Sequence, residues 1–452
     1  MRGRAFQEFR TLLRLAAPLA AAQAGNQLMG LVDVAVLGRL GAKELAGAGL
    51  GNAIFFAFSI MGMGMVMGVD PLMSQALGAR DEARARRVLW QGVWLTLIVA
   101  GVLTLILGAA VILLPYIGSE AELVPLAQVY LGVRLLSLFP FLLFFVIRSF
   151  LQAHHVTRPL LVSMIIANIA NLFLDVLFVF GGSVLPAWTG PLRMVPAMGV
   201  AGAAIATVLC SILQLAIVTA AVAKVGRVEH VSHRWNAAEI ARAARVGLPV
   251  GLQMGAEVGI FALVGVLASR LGTLHIAAHQ LVIGLASFTF TVALGVAAAG
   301  SVRVGKAIGA RDPYATRISG RMAFVAGAVV MGISALAFAF FPRPIIRLVT
   351  DQENVILASL PLMLVAAVFQ LSDGIQAVGA GVLRGAGDTK YAFYANLVGH
   401  WLIGFPVALF LGFKAGLGIV GLWWGLCAGL TVVAVLLFVR FEKLSRNEIA
   451  PI

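Results

Sequence analysis

Long apolar runs, each interrupted by only a few polar residues, follow one another along almost the whole chain. Each run is about 20 residues or longer, the length that an α-helix needs to cross a bilayer. They are continuous and lack the strict alternation of a membrane β-strand, so helices are expected. The pattern predicts twelve transmembrane helices, at 11–38, 46–75, 89–114, 126–153, 158–180, 198–223, 247–270, 277–304, 320–342, 354–385, 391–413 and 417–440. The chain is therefore predicted to be an all-α polytopic membrane protein.

The second half of the chain repeats the first. The tetrapeptide GARD occupies 78–81 and again 309–312, an offset of 231 residues. We expect each copy to form a tight turn in which Gly ends one helix and Asp starts the next. A repeat of this extent indicates two homologous six-helix lobes. They are predicted over 1–223 and 247–452, with a cytoplasmic linker over 224–246.

Composition and charge support a membrane protein and determine its predicted orientation. Hydrophobic residues make up 61% of the chain and charged residues 12%. Of the 33 Lys and Arg residues, 25 fall on the side of the predicted termini and 7 on the other side. By the positive-inside rule both termini are cytoplasmic. The net charge of +14 is then explained by loops that face an anionic membrane leaflet, so no nucleic-acid partner is expected.

Known catalytic and metal-binding motifs do not occur in the sequence. It contains no Walker A sequence, H-E-x-x-H or G-x-S-x-G. Both cysteines, Cys210 and Cys427, fall within predicted spans, which favours buried packing over a disulfide or a metal site. We expect no enzymatic activity and no cofactor.

Four carboxylates lie inside the predicted spans: Asp33, Asp175, Glu257 and Asp373. Burying an ionisable side chain in a bilayer costs at least about 2.5 kcal/mol, and none of the four has a Lys or Arg nearby in its own helix. Such a group is stable when it is protonated, paired with a cation, or used with amide oxygens to coordinate a hard ion. The four acids therefore predict an ion- or proton-coupled site.

Further polar residues share these spans and are candidates for a substrate cavity. They are Asn26, Asn168, Gln253, His279, Gln280, Gln370, Gln376, Asn396 and His400. Several of the amides could equally be interhelical hydrogen-bonding groups. For Arg134, the interpretation preferred from sequence is snorkelling to the outer interface. Asp70 lies near the cytoplasmic end of its span, which favours tethering over ion coupling.

Several motifs in register resemble the multidrug and toxic compound extrusion (MATE) family over nearly the whole chain. They are VDVAVLGRLGAKELAG at 32–47, QALGAR at 75–80, NIANLFLDVLFVFG at 168–181, AAHQ at 277–280 and LRGAGDTK at 383–390. The resemblance implies two lobes around a V-shaped central cavity and secondary antiport by alternating access. Organic, often cationic, compounds would leave the cytoplasm as Na⁺ or H⁺ enters across a bacterial plasma membrane.

The resemblance also implies residue roles. The positions that match the coupling set of the family's first lobe are Asp33, Asn171, Asp175 and Thr207. Glu257 and Asp373 match the acidic pair of the second lobe in the NorM-like branch, which favours Na⁺ bound by these two carboxylates. That branch tends to have Tyr four residues before the second acid, whereas this chain has Phe369, which we include among the cavity candidates.

Two alternatives remain open from the sequence. A lipid-linked saccharide flippase of the same superfamily would share the repeats, although it tends to have a more cationic cavity. A membrane-embedded enzyme would need a catalytic constellation, but His279 and His400 lie in different helices without a partner motif. The expected partners are organic cations, Na⁺ or H⁺, and membrane lipid, and the chain is expected to act as a monomer.

Overall fold

The structure is a computed structural model that describes residues 2–116, 121–225 and 231–452, with side chains from residue 4 onward. The described part consists of helices and their connections and contains no strand. Its α-helices are α1 (Arg2–Leu40), α2 (Ala42–Val66), α3 (Val69–Gly78), α4 (Glu82–Leu113), α5 (Val124–Arg134), α6 (Leu138–Ala153), α7 (Arg158–Phe180), α8 (Gly199–Val222), α9 (Ala237–Arg270), α10 (Thr273–Gly309), α11 (Pro313–Phe340), α12 (Pro342–Arg347), α13 (Glu353–Gly385), α14 (Thr389–Asn396), α15 (Phe405–Leu409) and α16 (Gly418–Leu444). The predicted all-α class is confirmed.

Eleven helical segments within the described residues are long and apolar enough to cross a membrane. The one remaining predicted span, the first at 11–38, corresponds to α1, which has 39 residues. Gln23, Asn26 and Gln27 lie close together in α1 and lower its hydropathy. A spanning helix that carries this many amides is expected to turn them towards other helices and not towards lipid.

Three predicted spans are interrupted helices. The span at 46–75 breaks at Met67 and Gly68, between α2 and α3. The span at 126–153 contains a 3₁₀ turn at Leu135–Ser137, between α5 and α6. The span at 391–413 contains two π-helical segments, Leu397–Gly404 and Phe410–Lys414. Hydropathy could not reveal these breaks, because an interrupted helix and a straight one have the same apolar composition.

The contacts of the chain divide it into two compact units. Unit 1 contains Met1–Gln23, Asp70–Asp81 and Leu248–Ile452, and unit 2 contains Ala24–Val69 and Glu82–Gly247. The first part of α1 and all but the first residue of α3 therefore pack with the second half of the sequence. The lobe and linker boundaries proposed from the repeat are not tested by this division and stay a prediction.

Each unit has its own apolar core. In unit 1, residues of α9, α10, α13, α15 and α16 meet around the fully buried indole of Trp423. In unit 2, Val36 of α1, Ala48 of α2, Tyr130 of α5 and Ala203 of α8 belong to one buried cluster. These cores determine which face of each helix is turned inward and hence where its polar residues lie.

The described part of the linker is held by α4, within unit 2. The Gln91 side chain donates to the carbonyl of Arg234 at 2.9 Å and accepts from the amide of Asn236 at 3.0 Å. The Trp94 indole donates to the carbonyl of His233 at 3.0 Å. Residues 226–230 lie outside the described part. The last part of the linker is the beginning of α9, which runs without interruption into a spanning segment.

In both GARD turns the glycine is the last residue of a helix, as predicted: Gly78 ends α3 and Gly309 ends α10. Arg80 and Arg311, not the glycines, have positive φ angles, of 59° and 53°. Asp312 caps α11 by accepting from the amide of Ala315 at 2.9 Å, as expected of the Asp in this motif. A Cβ atom on Gly78 would overlap the carbonyl oxygen of Lys306. The glycine is therefore required for close approach of α3 to α10.

Replacing Gly78 by Ala is expected to destabilise unit 1, because the added methyl group meets backbone atoms that cannot rotate away. The cost should be about 1–3 kcal/mol, typical of overpacking, and a thermal unfolding scan in detergent measures it. Gly332→Ala is the matched control, since no atom lies within 4 Å of its added Cβ and it also lies within a helix. An equal unfolding temperature for the two variants would contradict the close-packing interpretation.

Candidate functional site

The first acid cluster lies in unit 2, between α1, α7 and α8. The Asn171 amide donates to Oδ1 of Asp33 at 2.9 Å. The Thr207 hydroxyl lies 3.3 Å from Oδ2 of the same carboxylate and also donates to the carbonyl of Ala203 at 3.0 Å. Asn171 of α7 and Thr207 of α8 therefore both contact the carboxylate of Asp33 of α1, so three residues predicted on separate helices lie together.

Asp175, one helical turn after Asn171, completes this cluster. Its side chain is fully buried and interacts electrostatically with the carboxyl group of Asp33. Neither of its oxygens accepts a hydrogen bond of normal geometry from the described residues. Two carboxyl groups that share a buried site cannot both be ionised without a compensating cation, so the pair is suited to bind a proton or a metal ion.

Small residues on α8 allow these helices to approach closely. A Cβ atom on Gly202 would overlap the carbonyl of Phe178 on α7, so only glycine fits at this contact. Ala203 and Ala204 are also fully or almost fully buried. Small residues at helix contacts are a general means of close packing in membranes. Here they bring Thr207, one turn further along α8, within reach of Asp33.

Two residues of α5, Tyr130 and Arg134, also belong to this cluster. Tyr130 is 3% exposed, and its hydroxyl group interacts with Thr207 and with both carboxyl groups. Arg134 acts electrostatically on Asp33, and its guanidinium lies over the ring of Phe55 at 4.2 Å from the centroid. Snorkelling, the interpretation preferred from sequence, omitted this inward interaction. Tyr130 and Arg134 are one helical turn apart, and this spacing was the feature of the sequence that could have indicated a shared inward face.

The second acid cluster lies in unit 1, between α9, α13 and α14. The amides of Gln376 and Asn396 both donate to Oε2 of Glu257, at 3.2 and 3.3 Å. Asp373 is 6% exposed and interacts electrostatically with Glu257. The side-chain oxygens of Gln376 and Asn396 are buried and lack a hydrogen-bond partner within the described residues. The cluster thus combines two carboxyl groups with two amide oxygens that are available to a cation.

Asn396 occupies a special position in the backbone, since the π-helical segment Leu397–Gly404 begins directly after it. π-helical turns occur frequently at functional sites because the wider turn changes where side chains point. His400 lies in this segment, is 1% exposed, and has no hydrogen-bond partner at either ring nitrogen within the described residues. Its ring packs 6.4 Å from that of Phe261.

Phe369, the position at which the chain departs from the NorM-like pattern, lies in an aromatic group. Its ring centroid is 5.3 Å from Trp423 and 6.0 Å from Phe261, and its side chain is 1% exposed. His279 belongs to the same group, since its Nδ1 accepts from the Trp423 indole at 3.2 Å. These residues pack in the core of unit 1, and their predicted place in a substrate cavity stays a prediction.

The remaining cavity candidates lie in several environments. Asn26 and Gln280 are exposed at the surface of their helices, whereas Gln253 is 6% exposed. Asn168 donates to the carbonyls of Gly25 and Met164, at 3.0 and 2.9 Å. Gln370 accepts from the Thr289 hydroxyl at 2.9 Å. Asn168 and Gln370 thus link α7 to α1 and α13 to α10.

Asp70 does not join either cluster. Its carboxylate lies 3.3 Å from Nε of Arg384, and both side chains are about one-tenth exposed. This ion pair links α3 to α13 within unit 1, whereas the role inferred from the sequence was capping or tethering of the adjacent loop. The structure therefore separates this acid from the four in the clusters, none of which forms a salt bridge with a described Lys, Arg or His residue.

Both clusters have the chemistry of sites for hard cations or protons. Carboxylate, amide and hydroxyl oxygens are ligands for cations such as Na⁺, and paired carboxyl groups also bind protons. No group of three or more His, Cys, Asp or Glu residues in the described ranges could hold a metal ion. The two clusters differ in their neutral partners, since the first has one amide and the hydroxyls of Thr207 and Tyr130, and the second has two amides.

Comparison with known proteins identifies the family. The MatE family model matches residues 18–177 and 249–410, and the two matches begin 231 residues apart, the offset of the internal repeat. The probable multidrug resistance protein NorM of Mesorhizobium japonicum is 34% identical, with 98% of this chain and 95% of that protein covered. The multidrug resistance protein NorM of Aliivibrio fischeri is 31% identical, with 98% and 96% covered.

A solved structure agrees with this assignment at the level of the fold. The crystal structure of the eukaryotic MATE transporter AtDTX14 superimposes with a TM-score of 0.84 at 21% sequence identity, with 98% of each chain covered. The family and the branch predicted from the motifs are confirmed. The chain, a multi-pass membrane protein, belongs to the MatE family, the multidrug and toxic compound extrusion proteins.

Proposed function

We propose that this protein is a secondary active antiporter that exports organic, drug-like cations from the cytoplasm in exchange for Na⁺ or H⁺. Its NorM relatives are named as multidrug resistance proteins, which supports multidrug efflux. Transport by alternating access needs no chemical conversion of the substrate. The protein is accordingly proposed not to be an enzyme.

The single observation that carries this proposal is that each compact unit holds two carboxyl groups in spanning helices, and none of these groups forms a salt bridge with a described residue. Asp33 and Asp175 form one pair, and Glu257 and Asp373 form the other. An unpaired anion in this environment is costly, so each pair has a strong tendency to bind a cation or a proton. An organic cation is attracted by the same negative potential. Competition between this cation and the coupling ion for the acids can couple export of the one to import of the other.

Coupling to Na⁺ is the more specific version of the proposal. In the second cluster, Oε2 of Glu257 already accepts from two amides, and the buried amide oxygens of Gln376 and Asn396 have no partner among the described residues. Carboxylate and carbonyl oxygens together suit a hard metal ion, whereas a proton needs only one acceptor. We therefore propose Glu257 and Asp373 as the Na⁺ ligands.

The proposed location is the bacterial plasma membrane, with both termini in the cytoplasm. The bacterial relatives and the excess of Lys and Arg on the side of the termini support this orientation. The proposed partners are organic cations, the coupling ion and membrane lipid, with the chain acting as a monomer.

Reconstitution in proteoliposomes tests the proposed function. Purified protein is placed in vesicles loaded with the cationic dye ethidium, and dye release is followed after imposing a Na⁺ gradient alone or a pH gradient alone. Release driven by Na⁺ at constant pH is expected, since the second cluster suits a metal ion. If dye release were driven only by a pH gradient, the protein would still be an antiporter, but its coupling ion would be H⁺ and not Na⁺.

Protein-free vesicles and vesicles under equal ion concentrations on both sides are the controls. Absence of dye release above these controls under either gradient would contradict cation antiport. Movement of a fluorescent lipid-linked saccharide in the same vesicles, without dye release, would instead favour the flippase alternative.

A further inference from the structure

Arg134 lies in unit 2, within a membrane-spanning segment and beside the first acid cluster. It is the last residue of α5, immediately before the 3₁₀ turn Leu135–Ser137, and its side chain is half-buried. An arginine at this position is costly unless its charge is used or compensated. The surroundings of its guanidinium therefore indicate what it does.

Within the part of the chain that the structure describes, the guanidinium of Arg134 forms no salt bridge. Its buried Nε has no hydrogen-bond partner among the described residues, and the group instead lies over the ring of Phe55 at 4.2 Å. A cation over an aromatic face is stabilised by the ring quadrupole without being fixed by directional hydrogen bonds. The charge is held in place but keeps the capacity to interact with an anion.

The anion within its reach is the first cluster. Tyr130, one turn before Arg134 on α5, packs in the same buried cluster as Val36 of α1 and Ala203 of α8. Residues four apart lie on one face of a helix, so Arg134 lies on the face of α5 that is turned towards α1 and α8. In agreement with this placement, Arg134 is the one basic residue among the described groups whose charge acts on Asp33. The other groups that face Asp33 are Asp175 and Asn171 of α7 and Thr207 of α8. The cluster therefore contains two acids and one nearby fixed positive charge.

We propose that Arg134 is an internal counter-charge that lowers the affinity of the Asp33 and Asp175 pair for its coupling cation. This inference rests on the proposed antiport function and makes Arg134 a positioning and affinity-setting residue, not a cation ligand. Its charge stabilises the pair when no cation is bound and repels a cation that enters. A site that must release its ion in every cycle needs such a limit on affinity.

Removing the charge of Arg134 is therefore expected to raise the cation affinity and to lower the maximal rate of efflux. Without the positive charge, the acid pair holds the cation more tightly, so less cation is needed for half-saturation. Release becomes slower, so the maximal rate of efflux falls. A residue that only supported the fold would lower the rate without increasing the affinity.

The test is direct cation binding to purified protein in detergent, measured as calorimetric Na⁺ titration and as proton uptake on acidification. All proteins carry Glu257→Gln and Asp373→Asn, which remove both acids of the second cluster, so the first cluster is measured alone. Arg134→Met is expected to bind Na⁺ about tenfold more tightly, or to take up its proton about one pH unit higher. Unchanged Na⁺ affinity together with an unchanged proton-uptake midpoint would overturn the proposal.

Two further variants separate charge from structure. Arg134→Lys keeps the positive charge and is expected to retain the original affinity, whereas behaviour like that of Arg134→Met would contradict a charge effect. Arg148→Met is the matched control, because Arg148 also lies over a phenylalanine, Phe145, at 4.7 Å and does not appear among the described charges that act on Asp33. A tighter cation affinity in this variant would also overturn the proposal.

The proposed antiport function and the proposed role of Arg134 are tested by separate measurements. The absence of gradient-driven dye efflux with the unmodified protein would refute antiport as such. The affinity change of Arg134→Met is read from binding alone, so it confirms or overturns the role of Arg134 whatever the transport result.

Discussion

Replacing Glu257 by Gln is expected to abolish cation-driven efflux while the protein stays folded. The amide has nearly the same shape and can still accept a hydrogen bond from Gln376 or Asn396, so the contacts of the second cluster are largely retained. The negative charge, however, is lost, and with it the main attraction for the coupling ion. Initial rates of dye efflux in proteoliposomes should fall about 100-fold or more, as expected for an unscreened charge interaction in the membrane.

The matched control for this variant lies on the same helix. Glu239→Gln removes an acid from the first turn of α9, outside both clusters, and should leave the efflux rate unchanged. Asp33→Asn and Asp373→Asn extend the test to the first cluster and to the partner of Glu257. Normal efflux in all three cluster variants would exclude these carboxylates from coupling, whereas loss in only one cluster would assign coupling to that unit.

Replacing Arg384 by Met is expected to produce the largest loss of stability. The Arg384 and Asp70 side chains are 10% and 9% exposed, so Met removes the guanidinium that compensates a buried carboxylate. Breaking a buried pair by removing one partner costs about 3–5 kcal/mol. Unfolding in detergent, followed by intrinsic fluorescence, measures this free energy.

A comparison with an exposed pair tests the burial argument. Arg440 lies 2.7 Å from Asp388 with its side chain 39% exposed, so Arg440→Met should cost only about 0–1 kcal/mol. The double variant Asp70→Leu with Arg384→Met should recover much of the loss, because it leaves no isolated charge. If Arg384→Met were as mild as Arg440→Met, the buried pair would not be a significant stabilising contact.

Much of the first cluster could be predicted from the sequence, because its members lie on helices whose polar faces are simple to derive. Asn171 and Asp175 are one turn apart on α7, and Asp33 is an isolated acid in α1. Their direct contact was not predictable from spacing, since it depends on which faces α1, α7 and α8 turn towards each other. Arg134 was assigned to the outer interface because an isolated helix offers arginine no better solution than snorkelling.

The second cluster shows a further limit. The sequence placed Glu257, Gln376 and Asn396 on three helices, and resemblance to the family paired Glu257 with Asp373. The π-helical segment after Asn396 changes the direction of subsequent side chains, and no hydropathy pattern reveals it. Phe369 was expected to line a substrate cavity, which stays a prediction, and its contacts with Trp423 and Phe261 could not be read from the sequence.

The amino-acid sequence by itself determined that this is a twofold-repeated, all-helical membrane protein with four acids in its spans. These properties depend on local hydropathy, helix length and residue identity, which a linear pattern contains. Only the tertiary structure decided which side chains contact one another: Asn171 donates to Asp33, Gln376 and Asn396 donate to Glu257, and Asp70 forms an ion pair with Arg384. It also decided that the glycine of the first GARD turn is needed for the close approach of α3 to α10. Those outcomes depend on which helix faces pack together, and this is a property of the whole set of interhelical contacts.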